Sequence, residues 1–209
     1  MNNLLNFFFN SQIVKTYNRN LNLNGFTPLG LFWNSKKSQY DRFDTLLLLI
    51  MKFKFKRQLR ISDIGCGYGS LLVYLREKRI NIYYSGYDIN KNLINYCVKN
   101  YPKNLFKVSY YPTELTDITV ASGTYNYTAT DNVKIWEDYI IFNLKKCIAK
   151  SKLGLIFNLQ FTKKESFIKN NIYYTNIDFM LNKLKKDFLK VTKFYSKKNL
   201  NDIYFIILK

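Results

Sequence analysis

Three alternating glycines behind an acid, Asp63-Ile64-Gly65-Cys66-Gly67-Tyr68-Gly69-Ser70, restrict this chain more than any other feature. Residues 60–64 read as a short buried strand, and Leu71, Leu72, Tyr74 and Leu75 recur at helical spacing just beyond the loop. Alternating glycines let the backbone turn sharply and approach a ligand closely, and a helix N-terminus presents free N–H groups. The spacing is G-x-G-x-G, not the G-x-G-x-x-G of the dinucleotide fingerprint. A P-loop is excluded, since no Gly-Lys-Ser/Thr follows. The plain alternative is a tight turn with no ligand, and three glycines after an acid argue against it.

A second strand over residues 81–88 ends in Gly86-Tyr87-Asp88, and a helix over 90–100 stops before Pro102. At that strand end an acid either accepts hydrogen bonds from ribose hydroxyls or caps the helix that follows. Paired with the glycine loop, the ribose role is favoured. Further on, the pattern predicts strands over 106–110, 117–122 and 153–161, and helices over 39–55, 131–150 and 175–188. Residues 191–195 and 203–208 form an expected closing antiparallel pair. Strands alternating with helices of this length imply a doubly wound α/β fold. The expected sheet is seven-stranded and mostly parallel, with an antiparallel last strand and helices on both faces. Residues 1–38 stand outside the alternation and are expected to form a helical cap ahead of a main domain over 39–209.

Composition excludes several chemistries. The chain contains no histidine, which removes Ser-His-Asp and Cys-His triads and every His-dependent metal site. Three dispersed cysteines, Cys66, Cys97 and Cys147, give no disulfide framework and no metal knuckle. No metal is expected. The longest apolar run, residues 46–51, is far short of the roughly 20 residues a bilayer needs, and the N-terminus lacks a basic leader, so a soluble, cytoplasmic chain is expected. The formal charge is +19, from 33 Lys+Arg against 14 Asp+Glu. Such a field favours anionic partners, nucleic acid among them. Arginine stands only at positions 19, 42, 57, 60, 76 and 79, however, and lysine is poorer at bidentate phosphate readout.

The loop and Asp88 together resemble the class I S-adenosylmethionine-dependent methyltransferases, whose first motif is commonly D-x-G-C-G-x-G. The resemblance runs from about Phe32 to the C-terminus and implies a Rossmann-like methyltransferase fold using S-adenosyl-L-methionine. It implies that the glycine loop receives the methionine portion of the cofactor and that the acid binds its ribose. The cofactor residues so implied are Asp63, Gly65, Cys66, Gly67, Gly69, Asp88, Ile89, Ser109 and Ser122. Many relatives carry an acid after the third strand that binds the adenine amine. Here Phe106-Lys107-Val108-Ser109-Tyr110-Tyr111 offers none, so Ser109, a backbone carbonyl or an aromatic face must serve.

Three further stretches are similar to a bacterial-type subgroup of these enzymes: Trp33 to Phe43 in the pattern W-x-S-x-x-x-Q-x-x-R-F, Ser122-Gly123-Thr124-Tyr125-Asn126, and Gly154-Leu155-Ile156-Phe157-Asn158. The subgroup brings no acceptor with it. Trp33, Gln39 and Arg42 are the candidate acceptor-side residues, with Tyr125 and Trp136 as further pocket candidates. Each is as readily a packing residue or, for Gln39 and Arg42, part of a solvated helix face. An Asn/Asp-Pro-Pro-Tyr signature of amino-group methylation is absent, and no catalytic residue stands out. The expected activity is methyl transfer to a small molecule, a glycan or a metabolite precursor. The alternatives are an RNA or protein methyltransferase and a non-catalytic subunit of a larger assembly.

Overall fold

The computed structural model describes residues 1–53 and 57–209. Its strands are β1 (Leu59–Ile64), β2 (Ile82–Asp88), β3 (Leu105–Val108), β4 (Thr116–Ala121), β5 (Ser151–Thr162), β6 (Phe167–Lys169), β7 (Ile172–Asn176), β8 (Lys190–Tyr195) and β9 (Asp202–Leu208). Its helices are α1 (Asn3–Asn24), α2 (Lys36–Met51), α3 (Ser70–Glu77), α4 (Lys91–Asn100), α5 (Val133–Ala149) and α6 (Ile177–Asp187). The expected helix over 39–55 therefore starts earlier, and Phe55 lies outside the described residues.

The body of the sheet runs β3-β2-β1-β4-β5-β9-β8. β1 to β5 are parallel, and β9 runs antiparallel between β5 and β8. This is the expected seven-stranded sheet with an antiparallel last strand. Its central strands are buried on both faces: every residue of β4 is buried, as parallel strands covered by helices require.

One addition was not expected. β5 runs on past Phe157, its last residue paired with β4 (to Ala121), and its tail Gln160–Thr162 pairs with β7, which forms a hairpin with β6. The hairpin turns on Asn170 and Asn171, both at positive φ (52° and 60°). Asparagine tolerates that conformation better than other side chains, and two such residues make the turn whose twist matches paired strands. The helix expected over 175–188 begins instead at Ile177, because Thr175 belongs to β7 and Asn176 caps α6 through Phe179 N–H (2.9 Å).

The connection from β3 to β4, residues 109–115, is too short to hold the helix that normally crosses such a face. The gap is filled from far away in the chain. Asn2 caps α1 by accepting from Leu5 N–H (2.9 Å), and the helix lays Phe9 into the core beside Ile64, Tyr87, Tyr139 and Trp136. Phe9 is 4% exposed and meets Trp136 and Tyr139 edge-on at 6.2 and 5.8 Å. Burying a side chain of this size contributes about 1.5–3 kcal/mol. The other sheet face is covered by α2, α3 and α4 through Phe43, Leu46, Ile50, Leu71, Tyr74, Leu75 and Ile94.

Candidate functional site

The glycine loop leaves the end of β1 with three left-handed residues, Gly65, Gly67 and Gly69 (φ 70°, 58° and 84°). A side chain could not replace the first two: a Cβ on Gly65 would lie 2.7 Å from the Thr124 side chain, and one on Gly67 2.5 Å from Leu31. Gly69 instead packs under Tyr101 and opens α3, away from the cavity.

Asp88 ends β2 beside this loop. Its Oδ2 accepts Gly67 N–H (3.0 Å) and its Oδ1 accepts Asn90 N–H (2.8 Å), so it shapes the loop and lines the adjoining cavity. The cap of α4 is a different residue, Asn90, which accepts from Asn92 N–H (2.9 Å). Burial pushes the Asp88 carboxyl up to about 6, although the Asn90, Gly67 and Ile89 N–H groups favour its charge. Asp63 is buried behind the loop and pushed up to about 7 by that burial, opposed by the Tyr84 hydroxyl (2.6 Å) and reinforced by Asp88.

The cavity itself is about 100 Å³. The core side contributes Gly65, Gly67, Asp88, Ile89, Ser122 and Thr124; α1 contributes Ile13, Val14 and Tyr17. Asn18 secures α1 at this point, accepting from Asn90 Nδ2 (2.8 Å) and Asn92 Nδ2 (3.1 Å). A second cavity lies beyond Trp33, sharing Tyr17, Leu31, Trp33, Gly123 and Tyr127 with the first. The dividing wall is aromatic. Phe32 stacks on Tyr127 (5.8 Å, 7°), and Tyr17 meets both edge-on at 5.2 and 5.7 Å. Burial, then Asp88 and Tyr127, raise the Tyr17 hydroxyl well above its ordinary range, so it remains protonated.

The residues expected from sequence divide clearly. Gly65, Gly67, Asp88, Ile89 and Ser122 line the first cavity, Trp33 lines both, and Arg42 lines the second. Cys66 is buried with its thiol pushed far up, first by burial, so it offers no thiolate. Ser109 lines a smaller inner cavity, but its hydroxyl already donates to Tyr111 O (2.7 Å) and accepts from Tyr111 N–H (3.2 Å). Gln39 lines neither of these two cavities: it donates to Ser70 Oγ (2.9 Å) and accepts from the Tyr68 hydroxyl (3.3 Å), holding α2 against the loop. Trp136 is wholly buried in the core, its indole N–H given to Tyr125 O (3.1 Å), and lines neither cavity. Tyr125 turns inward, 2% exposed, to the inner cavity.

Arg42 is not free to clamp an anion. Its guanidinium makes two hydrogen bonds to Asp202, which is 1% exposed, and lies 4.8 Å above the Trp33 ring. Asp202 in turn accepts from Asn158 Nδ2 (3.2 Å), whose Oδ1 accepts Gly123 N–H (2.8 Å). Gly123 sits so close to Trp33 that a Cβ there would lie 2.8 Å from the ring. The three stretches singled out in the sequence thus meet around one buried polar relay.

Sequence reasoning missed Tyr17, Tyr127 and the hairpin. Tyr173 N–H donates to Asn126 O (2.8 Å), and Gln160 N–H to Asn126 Oδ1 (3.0 Å), so the hairpin and the tail of β5 brace the second cavity. The Asn170-Asn171 pair between apolar residues was the available signal.

The chain matches the family described as the methyltransferase small domain over residues 12–130. A Mycobacterium tuberculosis protein named as a methyltransferase is 28% identical over 120 residues, 56% of this chain and 72% of that one. A Leishmania major S-adenosylmethionine-dependent methyltransferase superposes with TM-score 0.67 at 12% identity, covering 92% of this chain and 82% of its own. Magnesium protoporphyrin IX methyltransferase of Synechocystis, solved with bound S-adenosylmethionine, gives TM-score 0.58 at 12% identity, over 83% and 80% of the two chains. No helix among the described residues is long and apolar enough to cross a membrane. The glycine loop, the acid at the end of β2 and these matches agree: the chain belongs to the methyltransferase small domain family and is a class I S-adenosylmethionine-dependent methyltransferase.

Proposed function

We propose that this enzyme methylates a small-molecule acceptor taken up in the cavity beside Trp33, with the cofactor between the glycine loop, Asp88 and α1. The observation that carries the reading is the pair of cavities sharing the Tyr17–Trp33–Tyr127 wall, neither of which has a lysine in its lining. A polyanionic acceptor would call for cations around that mouth; the one cation among the described lining residues of the two cavities, Arg42, is held by Asp202.

The residues fit the cofactor. Gly65 and Gly67 present bare backbone to the cavity, and the Asp88 carboxylate stands in the same wall, suited to accept hydrogen bonds from ribose hydroxyls. Bound there, S-adenosylmethionine supplies an electrophilic sulfonium methyl group. The protein then has to orient the acceptor and keep water out. Ser122 and Gly123 form the rim between the two cavities, and Asn34, Ser38, Asn126 and Gln160 offer hydrogen bonds to a polar acceptor. Residues 1–38 serve as the cap, with Tyr17 kept as a donor rather than a base.

The test is transfer of labelled methyl groups from S-adenosylmethionine into a cell extract, followed by size separation. Label in the low-mass fraction supports the reading. Label retained by RNA or protein overturns the acceptor assignment and turns attention to Lys15, Arg19 and Lys146, which line the groove between α1 and residues 108–113.

A further inference from the structure

The acid that relatives place after the third strand is absent here, and the hydroxyl of Ser109 is already engaged on both sides. Something else must meet the adenine amine. Behind the glycine loop lies an inner cavity of about 40 Å³. It shares Gly65, Asp88 and Ile89 with the first cavity, and Ile89, Ser109 and Tyr110 with the groove under α1, so it lies between the two. Asn143 of α5 lines it and is 1% exposed.

The orientation of the Asn143 amide is set by its nitrogen. Nδ2 donates to Tyr139 O (2.8 Å) and to Asn6 Oδ1 (3.2 Å), which uses both of its hydrogens. The carbonyl oxygen is thereby turned away from those partners, and it is buried with no hydrogen bond among the described residues. A buried amide oxygen left without a donor is costly, and a folded chain seldom retains one without a use. Asn143 lines this cavity together with Ser109 and Tyr110, the segment that follows the third strand.

We infer that Asn143 Oδ1 accepts a hydrogen bond from the exocyclic amine of the cofactor's adenine, taking over the work of the missing acid. This rests on the cofactor reading of the cleft given above. An amide oxygen suits the task because the adenine amine is a neutral donor. A 6-oxopurine would bring an acceptor against an acceptor, and the site would reject it.

The experiment is calorimetric titration of the full chain with S-adenosylhomocysteine and with its inosine analogue, which carries oxygen in place of the amine. The expected preference of the wild type for S-adenosylhomocysteine is about tenfold or more. Asn143→Leu should reduce it to within about twofold, and Asn143→Ala gives the same reading without added bulk. Asn6→Leu removes the tie to α1 but leaves the preference intact, which separates recognition from packing. Equal wild-type binding of the two ligands, or a preference that survives loss of the amide, overturns the assignment while the cofactor cleft stands. No wild-type binding of S-adenosylhomocysteine at all overturns the cleft reading and this assignment together.

Discussion

The proposed cofactor wall and the proposed acceptor wall of this cleft are assembled over very different distances along the chain. On the proposed cofactor side Gly67 and Asp88 are 21 residues apart, and the Gly67 N–H donates directly to the Asp88 carboxylate within one strand–loop–helix–strand unit. On the acceptor side Arg42 and Asp202 are 160 residues apart, and the relay between them and Gly123 passes through Asn158 on a third element. The first wall is a local device that any chain folding this unit will make. The second exists only when the whole sheet has closed. Damage should therefore dissociate cofactor at the first wall and unfold protein at the second.

The largest expected effect lies on the acceptor side. Arg42→Ala leaves the Asp202 carboxylate buried and without a cation, and breaking a buried pair in this way costs about 3–5 kcal/mol. Denaturant unfolding measures it, with S-adenosylhomocysteine affinity unchanged in the protein that remains folded. A variant as stable as the wild type that loses only turnover would break the comparison and return Arg42 to the acceptor.

Next in size is Asp88→Ala. Hydrogen bonds to a charged acceptor contribute about 1.5–3 kcal/mol, so cofactor affinity should fall roughly tenfold to a hundredfold. Titration alongside a thermal melt reads both quantities. A lowered melting temperature with an unchanged dissociation constant would reduce Asp88 to a loop brace.

The pH dependence sharpens the same contrast. Burial raises Asp63 to about 7 and Asp88 to about 6, above the unfolded value near 4. Between about pH 4 and 7 the folded chain thus binds more protons than the unfolded one, and these two groups make stability fall as pH rises. Cofactor binding should run the other way. It needs the Asp88 carboxylate, so affinity should weaken toward tenfold per unit below about pH 6. Melts and titrations across pH 5 to 8 should therefore slope in opposite directions, and Asp63→Asn should flatten only the first. Parallel slopes would detach Asp88 from cofactor binding.

The smallest effect belongs to the seam between the walls. Asn18→Ala removes the contacts to Asn90 and Asn92 on a partly exposed helix, about 1 kcal/mol or less. Stopped-flow displacement should show S-adenosylhomocysteine leaving about threefold faster, with little change in melting temperature. An unaltered dissociation rate would show that α1 is wall only and does not gate the cleft.

Read from residues alone, the chain disclosed that Gly65, Gly67, Asp88, Ile89 and Ser122 belong together, and they line one cavity. Alternating glycines after Asp63, and an acid at the end of the next strand, are short-range signals, because the turn and the close approach impose their requirements within one supersecondary unit. The β/α alternation and the closing antiparallel pair were equally legible, since burial on one or both faces writes itself into periodicity. Trp136 and Gln39 were misplaced for the complementary reason. An aromatic or an amide on a helix has the same local signature whether it faces a cavity or a neighbouring element.

What only the tertiary structure decided is where the long-range partners go. No local pattern joins Arg42 to Asp202; the pair forms because a buried carboxylate on β9 cannot stay charged without a nearby cation. Nor does α1 announce that it will cover the sheet. It does so because residues 109–115 are too few to form a crossover helix, and the apolar face left open by that short connection has to be buried by some other part of the chain.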